Sequence, residues 1–521
     1  MNILTMNKKA LIILLGGIGT LIFISFKSNF PVQEPWKAPE SADTIKSPFP
    51  FTPQVIREGE KLYTMLCVSC HGTTGLGDGQ PGRYKIPPAN FHSKHVTDQK
   101  DGALFWKLTH GKGNMPAYGV AFNEEKRWQL VAYIRQFAKQ DLSATVSKPV
   151  LPLKNYRFDK NLSARYFSLP LKVSNVYSSE EQLFMVDTVV KDLVRPWSIV
   201  FMPDNSVLIA ERSGKLLKVK DGKVQANPIG GNVPTSLRDV KLHPNFEKNR
   251  VIYFSYFIEP TSPGTGYTAL MRGKLIGDKL VEEKMIYKAG PFKRNGDWFG
   301  SKIGFDDKGF LYFTVGIHTA DRMNSQNLTA PDGKTMRLHD DGSIPKDNPF
   351  VNTPGALPEI YSYGHRMHQG FRRDPKTGRF FFVEFGELAG DELNILKRGA
   401  NYGWPLATFS LEYNGSIISE SPYREGTEAP IHHYAIAPSD LDFVYGTRYP
   451  KWDGNIFIGG LATKKLYRVV MKDDKSVHDE AMLHNLGRIR DVKYGPDQFL
   501  YALTEDTGIL VRLVPLSKIG N

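Results

Sequence analysis

Cysteine is nearly missing: the 521 residues contain two, Cys67 and Cys70. Two thiols cannot build a disulfide framework. A thiolate zinc site would need further cysteines, and there are none. Long runs of one charge are missing too. Lys and Arg number 67 against 54 Asp and Glu, an excess of 13. That excess is dispersed, so no nucleic-acid partner is expected. The apolar share of 41% is too low for a polytopic membrane protein, and the 23% charged share is that of an ordinary globular chain. Glycine, proline and aromatics are plentiful: 47 Gly, 34 Pro and 12% aromatic residues favour many short strands and tight turns. The length suggests about two to four domains.

One long hydrophobic run is present. Lys8 and Lys9 precede ALIILLGGIGTLIFISF, residues 10–26, which carries no charge over 17 positions. A bilayer core takes about 20 apolar residues, and the apolar region of a secretory signal about 7–15. No small-x-small cleavage site and no lipidation cysteine follow. Residues 1–30 therefore read as an uncleaved inner-membrane anchor, with a cleaved signal and a buried core helix as the alternatives. The lysines keep the N-terminus cytoplasmic, which places the remaining chain in the periplasm.

Residues 67–71 read Cys-Val-Ser-Cys-His, the C-x-x-C-H attachment signature of c-type haem. Two thiols one helical turn apart can each add to a vinyl group, and His71 then faces the iron. A redox dithiol is the alternative. Thr52-Pro53 starts a helix, as cap and first turn. Val55, Gly59, Leu62, Tyr63 and Leu66 follow at helical spacing, and Gly59 would let a second helix cross closely. That helix runs over 123–140, capped by Asn123, with Glu124 and Glu125 at its positive end and Trp128, Val131, Ile134 and Phe137 along its apolar stripe. The layout over residues 48–140 resembles the class I cytochrome c family. The resemblance implies an all-α fold with crossed first and last helices, and an axial methionine in Gly113-Asn114-Met115-Pro116. Met65 is a rival sulfur, and His92, His95 and His110 are rival imidazoles. A His71/Met115 pair leaves no open position on the iron, so this haem would carry electrons.

Residues 141–180 show no periodicity and read as a linker hugging the surface. Beyond them a β-rich unit recurs about six times, at 206–223, 250–257, 309–316, 379–386, 454–470 and 498–513. Radial repetition of four-stranded blades, an all-β six-bladed propeller over 181–517, accounts for it better than a β-sandwich. Arg195-Pro196-Trp197, DDGSIPKDNPF (340–350), EIYSYGHRMHQGF (359–371), GDELNILKRGANYGWP (390–405), APSDLDFV (437–444) and RIRDV (488–492) together resemble the soluble quinoprotein glucose/sorbosone dehydrogenase family. The resemblance implies binding of pyrroloquinoline quinone (PQQ) and calcium, with Arg366, Arg488 and Arg490 toward the quinone. It also marks departures. The family's general-base histidine falls at Trp298, whose indole cannot take a proton. The Asn of its GHRNPQG motif is Met367, and its quinone-contacting Lys falls near Ala462, beside Lys464 and Lys465. Its E-x-G-P calcium loop reads Glu384-Phe385-Gly386-Glu387. His318 is the nearby residue with a pKa suited to base work.

Two functions follow as expectations. One is a membrane-anchored periplasmic cytochrome fused to a quinoprotein sugar dehydrogenase-like propeller. It would pass electrons from sugar or alcohol oxidation to haem c, then to a respiratory acceptor or another cytochrome. The other is an electron-transfer protein whose propeller has lost catalysis and binds a partner or glycan.

Overall fold

The structure is a computed structural model that describes residues 36–67, 71–72, 74–77, 88–112, 115, 118–119, 122–139, 156–157, 175–258, 265–293, 300–317, 319–413, 418–483 and 486–518. The chain divides into two units, Met1–Lys37 and Ala38–Asn521. The apolar run at 10–26 lies outside the described residues. Among the described residues no helix is long and apolar enough to cross a membrane.

The helical part begins where its caps place it. The Thr52 hydroxyl accepts the Val55 N–H at 3.3 Å, with Pro53 at the first helical position, and helix Pro53–Leu66 follows. The Asn123 side chain accepts the Lys126 N–H at 3.0 Å, opening helix Glu124–Phe137. These two helices cross at Gly59: a Cβ there would lie 1.9 Å from the Gln129 carbonyl oxygen. Trp128, Leu130 and Val131 are fully buried beneath the crossing. Phe105, on helix Asp101–His110, stacks on Trp128 at 4.3 Å.

Among the described residues, the β part holds six antiparallel sheets of four or five strands and one two-stranded pair. Each of the six larger sheets contains one of the six sequence repeats as its second strand: Val207–Glu211, Val251–Ile258, Leu311–Val315, Phe380–Glu384, Ile456–Gly460 and Leu500–Thr504. The first strands of successive sheets touch in a closed ring. It runs Pro196–Phe201, Leu237–Leu242, Ile303–Phe305, His368–Arg373, Pro438–Phe443 and Ile489–Tyr494, and returns to Pro196–Phe201. That closure makes a six-bladed propeller. Buried aspartates staple neighbouring blades. Asp239 Oδ2 accepts the Ile303 N–H at 3.0 Å, and Asp491 Oδ2 accepts the Ile199 N–H at 2.7 Å. Both aspartates sit in Arg-Asp-Val triplets, 238–240 and 490–492, which therefore serve inter-blade contact.

The last blade is closed by an early strand. Leu183–Val190 pairs with Leu510–Pro515, so the first propeller strand completes the sheet of the last repeat. Part of the stretch read as linker is also strand. Asn175–Ser178 pairs with Leu183–Val190, and Tyr156–Arg157 with Ser517–Lys518. Their backbone groups pair with edges that only the closed propeller offers, and local periodicity could not show this.

Candidate functional site

Cys67, the first residue of the haem-attachment motif, caps the first helix. The Cys67 N–H donates to the Tyr63 carbonyl and the His71 N–H to the Cys67 carbonyl, each at 2.8 Å. Cys67 and His71 are both buried; Cys70 lies outside the described residues. His71 Nδ1 sits 3.0 Å from the Ala89 carbonyl oxygen. A carbonyl only accepts, so Nδ1 carries the hydrogen and Nε2 keeps the lone pair a metal needs. Burial holds the imidazole's pKa below its ordinary value, partly opposed by the bond to Ala89. The ring stacks on Phe91 at 4.4 Å.

Met115 closes a tight turn, exchanging two backbone hydrogen bonds with Lys112, each 3.0 Å. It packs against the same apolar cluster as Cys67, Tyr63 and Phe91. The rival imidazoles are otherwise engaged or exposed. His92 Nε2 meets the Thr74 carbonyl at 2.7 Å, and His110 Nδ1 meets the Trp106 carbonyl at 2.8 Å. His95 is exposed on the short helix Lys94–Thr97. A buried imidazole with a free Nε2 and a thioether in one cluster are donors that suit haem iron.

The propeller mouth follows from strand direction. All six inner strands run the same way, so the segments just before them share one end of the channel. Those segments carry Arg195-Pro196-Trp197, Gly364–Met367 and Arg488. The loops between second and third strands return to the same end, carrying Phe385–Gly390, Leu461–Lys465 and Glu505–Gly508. Arg490, Arg238 and Arg212 lie over the Trp197 indole at 3.9, 4.9 and 5.4 Å. Arg490 donates to Glu505 through Nε at 3.1 Å, and Arg488 Nε stands 3.6 Å from the same carboxylate. Arg488 remains 38% exposed, so this side of the mouth keeps cationic character toward solvent.

On the other side, Arg366 is already engaged. Its Nη2 donates to Glu387 at 2.8 Å and its Nη1 to the Phe385 carbonyl at 3.1 Å. Arg322 binds Glu412 at 2.6 Å and reaches Glu387 at 3.9 Å. Glu387 stands where the family's calcium loop has proline. Its Oε1 is buried without a hydrogen bond and faces the Arg322 guanidinium at 3.9 Å. The space beside Arg366, lined by Glu384, Tyr402 and Trp404, holds only about 10 Å³. A larger cavity, about 740 Å³, opens at the opposite end of the channel beside Lys241, Arg372 and Lys493. Sequence reasoning missed Glu387 and Arg322 as a unit; the E-F-G-E departure from E-x-G-P was the available signal. Trp298 and His318 lie outside the described residues. Met367 is buried against Gly300 and Gly316, and Ala462 holds its loop through backbone bonds. Lys464 pairs with Asp506 at 3.2 Å.

The two parts meet at this mouth. Ala389, Ala435 and Leu411 of the propeller join the cytochrome's apolar cluster. Lys465 lies near Glu60 of the first helix. Burial lowers the Lys465 pKa to about 8, and the Glu60 charge partly opposes this.

Fold and site together define a c-type cytochrome domain joined to a propeller of the sugar-dehydrogenase kind. The chain belongs to the glucose/sorbosone dehydrogenase family, which matches residues 193–512. Residues 54–134 match the family described as cytochrome c oxidase, cbb3-type, subunit III. The chain is 37% identical over 346 residues to the aldose sugar dehydrogenase YliI of Escherichia coli, covering 63% of this chain and 92% of the relative. It is 29% identical over 441 residues to quinoprotein glucose dehydrogenase B of Acinetobacter calcoaceticus, covering 66% and 90%. A crystal structure of glucose dehydrogenase superimposes with a TM-score of 0.60 at 36% identity, covering 64% of this chain and 99% of that one.

Proposed function

We propose that this protein is a haem-linked, PQQ-dependent sugar dehydrogenase, in which electrons from an aldose or alcohol leave the propeller through the attached cytochrome. The observation that carries the reading is the seam of Ala389, Leu411 and Ala435 with the cytochrome core. It seats the electron carrier on the mouth where the family binds its quinone. Such fixed proximity replaces a bimolecular encounter with a local one.

Bound PQQ would supply the two-electron oxidation of a sugar hydroxyl, and a haem on Cys67, Cys70, His71 and Met115 the one-electron outlet. The chain's own residues have definable tasks. Arg488 and Arg490 would hold the cofactor's carboxylates. Glu505 keeps Arg490 from standing as an unpaired buried charge. Calcium would be held by oxygens of the Glu384–Glu387 loop, with Glu387 itself already paired to Arg366 and Arg322. His318 is the proposed proton acceptor. We place the protein at the periplasmic face of the inner membrane, held by residues 10–26, with a respiratory acceptor or another cytochrome as its electron partner.

A propeller that binds without oxidising is the second reading. The capture of Arg366 by Glu387 and the small space beside it favour that alternative. One experiment separates the two. The full-length protein is loaded with PQQ and Ca²⁺ without oxygen and offered a panel of aldoses and alcohols, while haem absorbance is followed. Sugar-dependent haem reduction that requires PQQ supports the first reading. No reduction by any substrate at any pH overturns it in favour of the second.

A further inference from the structure

Beneath Arg366, at the base of the mouth described above, lies a cluster to which neither the haem nor the quinone reading has given a joint role. His365, His368 and Glu384 are all buried, and one ligand atom from each lies within 4.8 Å of the others. Strand pairing produces it. His368 opens the first strand of its blade and stands directly opposite Glu384 on the second. His365 is three residues earlier, its Nδ1 3.4 Å from Glu384 Oε1.

The hydrogen bonds around the cluster engage the outward-facing atom of each residue. His365 Nε2 is held by the Ser362 hydroxyl at 2.8 Å, and His368 Nε2 faces the Thr335 hydroxyl at 3.4 Å. Glu384 Oε2 accepts the Arg366 N–H at 2.8 Å. Outer partners of this kind orient imidazole and carboxylate ligands in metal sites. They leave both Nδ1 atoms and Oε1 on the inner side, where His365 Nδ1 and Glu384 Oε1 face each other at 3.4 Å across a hydrogen that an incoming cation would displace. His368 Nδ1 is fully buried and has no hydrogen-bond partner, an unusual cost for a polar atom. Desolvation holds both imidazoles well below their ordinary pKa, so they are in the neutral, ligating form. The carboxylates add their own demand. Glu384 faces Glu392 across the next strand pair, and both are buried. The cations nearby, Lys334 and Arg366, bond elsewhere: Lys334 to the carbonyls of Asn324 and Ser325, Arg366 to Glu387.

We propose that His365, His368 and Glu384 form a zinc-class site, binding one divalent transition-metal ion through two imidazole Nδ1 atoms and one carboxylate oxygen. The donor set of two histidines and a glutamate suits Zn²⁺, with a fourth position for water. Bonds of about 2.0–2.1 Å set ligand atoms roughly 3.3 Å apart, close to the observed 3.4 Å between His365 and Glu384. The ion would tie the first strand of this blade to the second and so hold Gly364–Met367 in place. His368 is this chain's own addition: the motif it resembles has proline there.

The test uses the full-length haem protein, incubated with Zn²⁺ and dialysed against zinc-free buffer, with haem iron as internal standard. Wild type should retain about one zinc per haem. His368→Gln and Glu384→Gln should fall at least tenfold, with the haem spectrum unchanged. Zinc lost from wild type on dialysis, or retained equally by a folded His368→Gln, overturns the proposal. Should both variants misfold, zinc-edge X-ray absorption on wild type decides. Two imidazoles and light N/O ligands at about 2.0–2.1 Å support the site; a shell without imidazole overturns it.

Discussion

Single side chains decide whether each half of the molecule can do its work. At the proposed haem site, the Ala89 carbonyl fixes the His71 tautomer, and Met115 exchanges backbone hydrogen bonds with Lys112. Met115→Ala should abolish the sulfur-to-iron charge-transfer band of the oxidised protein while covalent haem staining on a denaturing gel persists. Survival of the band would assign the sixth ligand elsewhere. At the mouth, Glu387 is fully buried between Arg366 and Arg322. Removing one member of a buried ion pair typically costs about 3–5 kcal/mol, because the other charge is stranded. Glu387→Ala should therefore lower stability by about that amount in chemical denaturation, and Glu387→Gln by less. The C-x-x-C-H signature made the proposed haem residues legible in sequence. Glu387 was legible only as a departure from a motif. What it pairs with depends on Arg366 and Arg322, which lie 21 and 65 positions away and are brought together by the fold.

At the scale of elements, the helix crossing and the blade closure carry most of the consequence. Gly59 meets the backbone of Gln129 where no side chain fits. Gly59→Val should push the crossing helices apart. Overpacking of this sort costs about 1–3 kcal/mol, and the cytochrome part should melt earlier with partial loss of the axial sulfur signal. An unchanged melting curve would show that the crossing relaxes freely. Both helices were legible in sequence because cap residues and 3.6-residue periodicity are local signals. The propeller's closure was not. Leu183–Val190 pairs with a strand more than 300 residues later, and nothing in its own alternation names that partner. The same holds for Asn175–Ser178, which looked like linker until its neighbour strand was in place.

At the scale of the whole molecule, the cytochrome is seated on the propeller's mouth, and Lys465 reports on that seat. Burial there lowers its pKa to about 8, against about 10.4 for an unperturbed lysine. Between those values the folded protein holds fewer protons than the unfolded chain. The Lys465 contribution to stability therefore rises as pH increases from about 8 to about 10. Wild type should gain stability relative to Lys465→Met across that window, measured by denaturation at several pH values. Parallel curves would mean that Lys465 is not desolvated by the docked domain.

The sequence by itself determined the local chemistry: a haem-attachment motif, an axial methionine candidate, two capped helices, six repeated strands and an arginine-bearing mouth. Each of those signals spans a few residues, within which hydrogen-bond geometry and side-chain periodicity act directly. Tertiary structure alone decided which blade Leu183–Val190 completes, that Arg366 faces Glu387, and that His365, His368 and Glu384 converge. It also decided that Ala389, Leu411 and Ala435 pack against the cytochrome. Those outcomes depend on contacts between distant segments. A distant contact forms only when ring closure and apolar burial together outweigh the entropy of bringing the segments to one place.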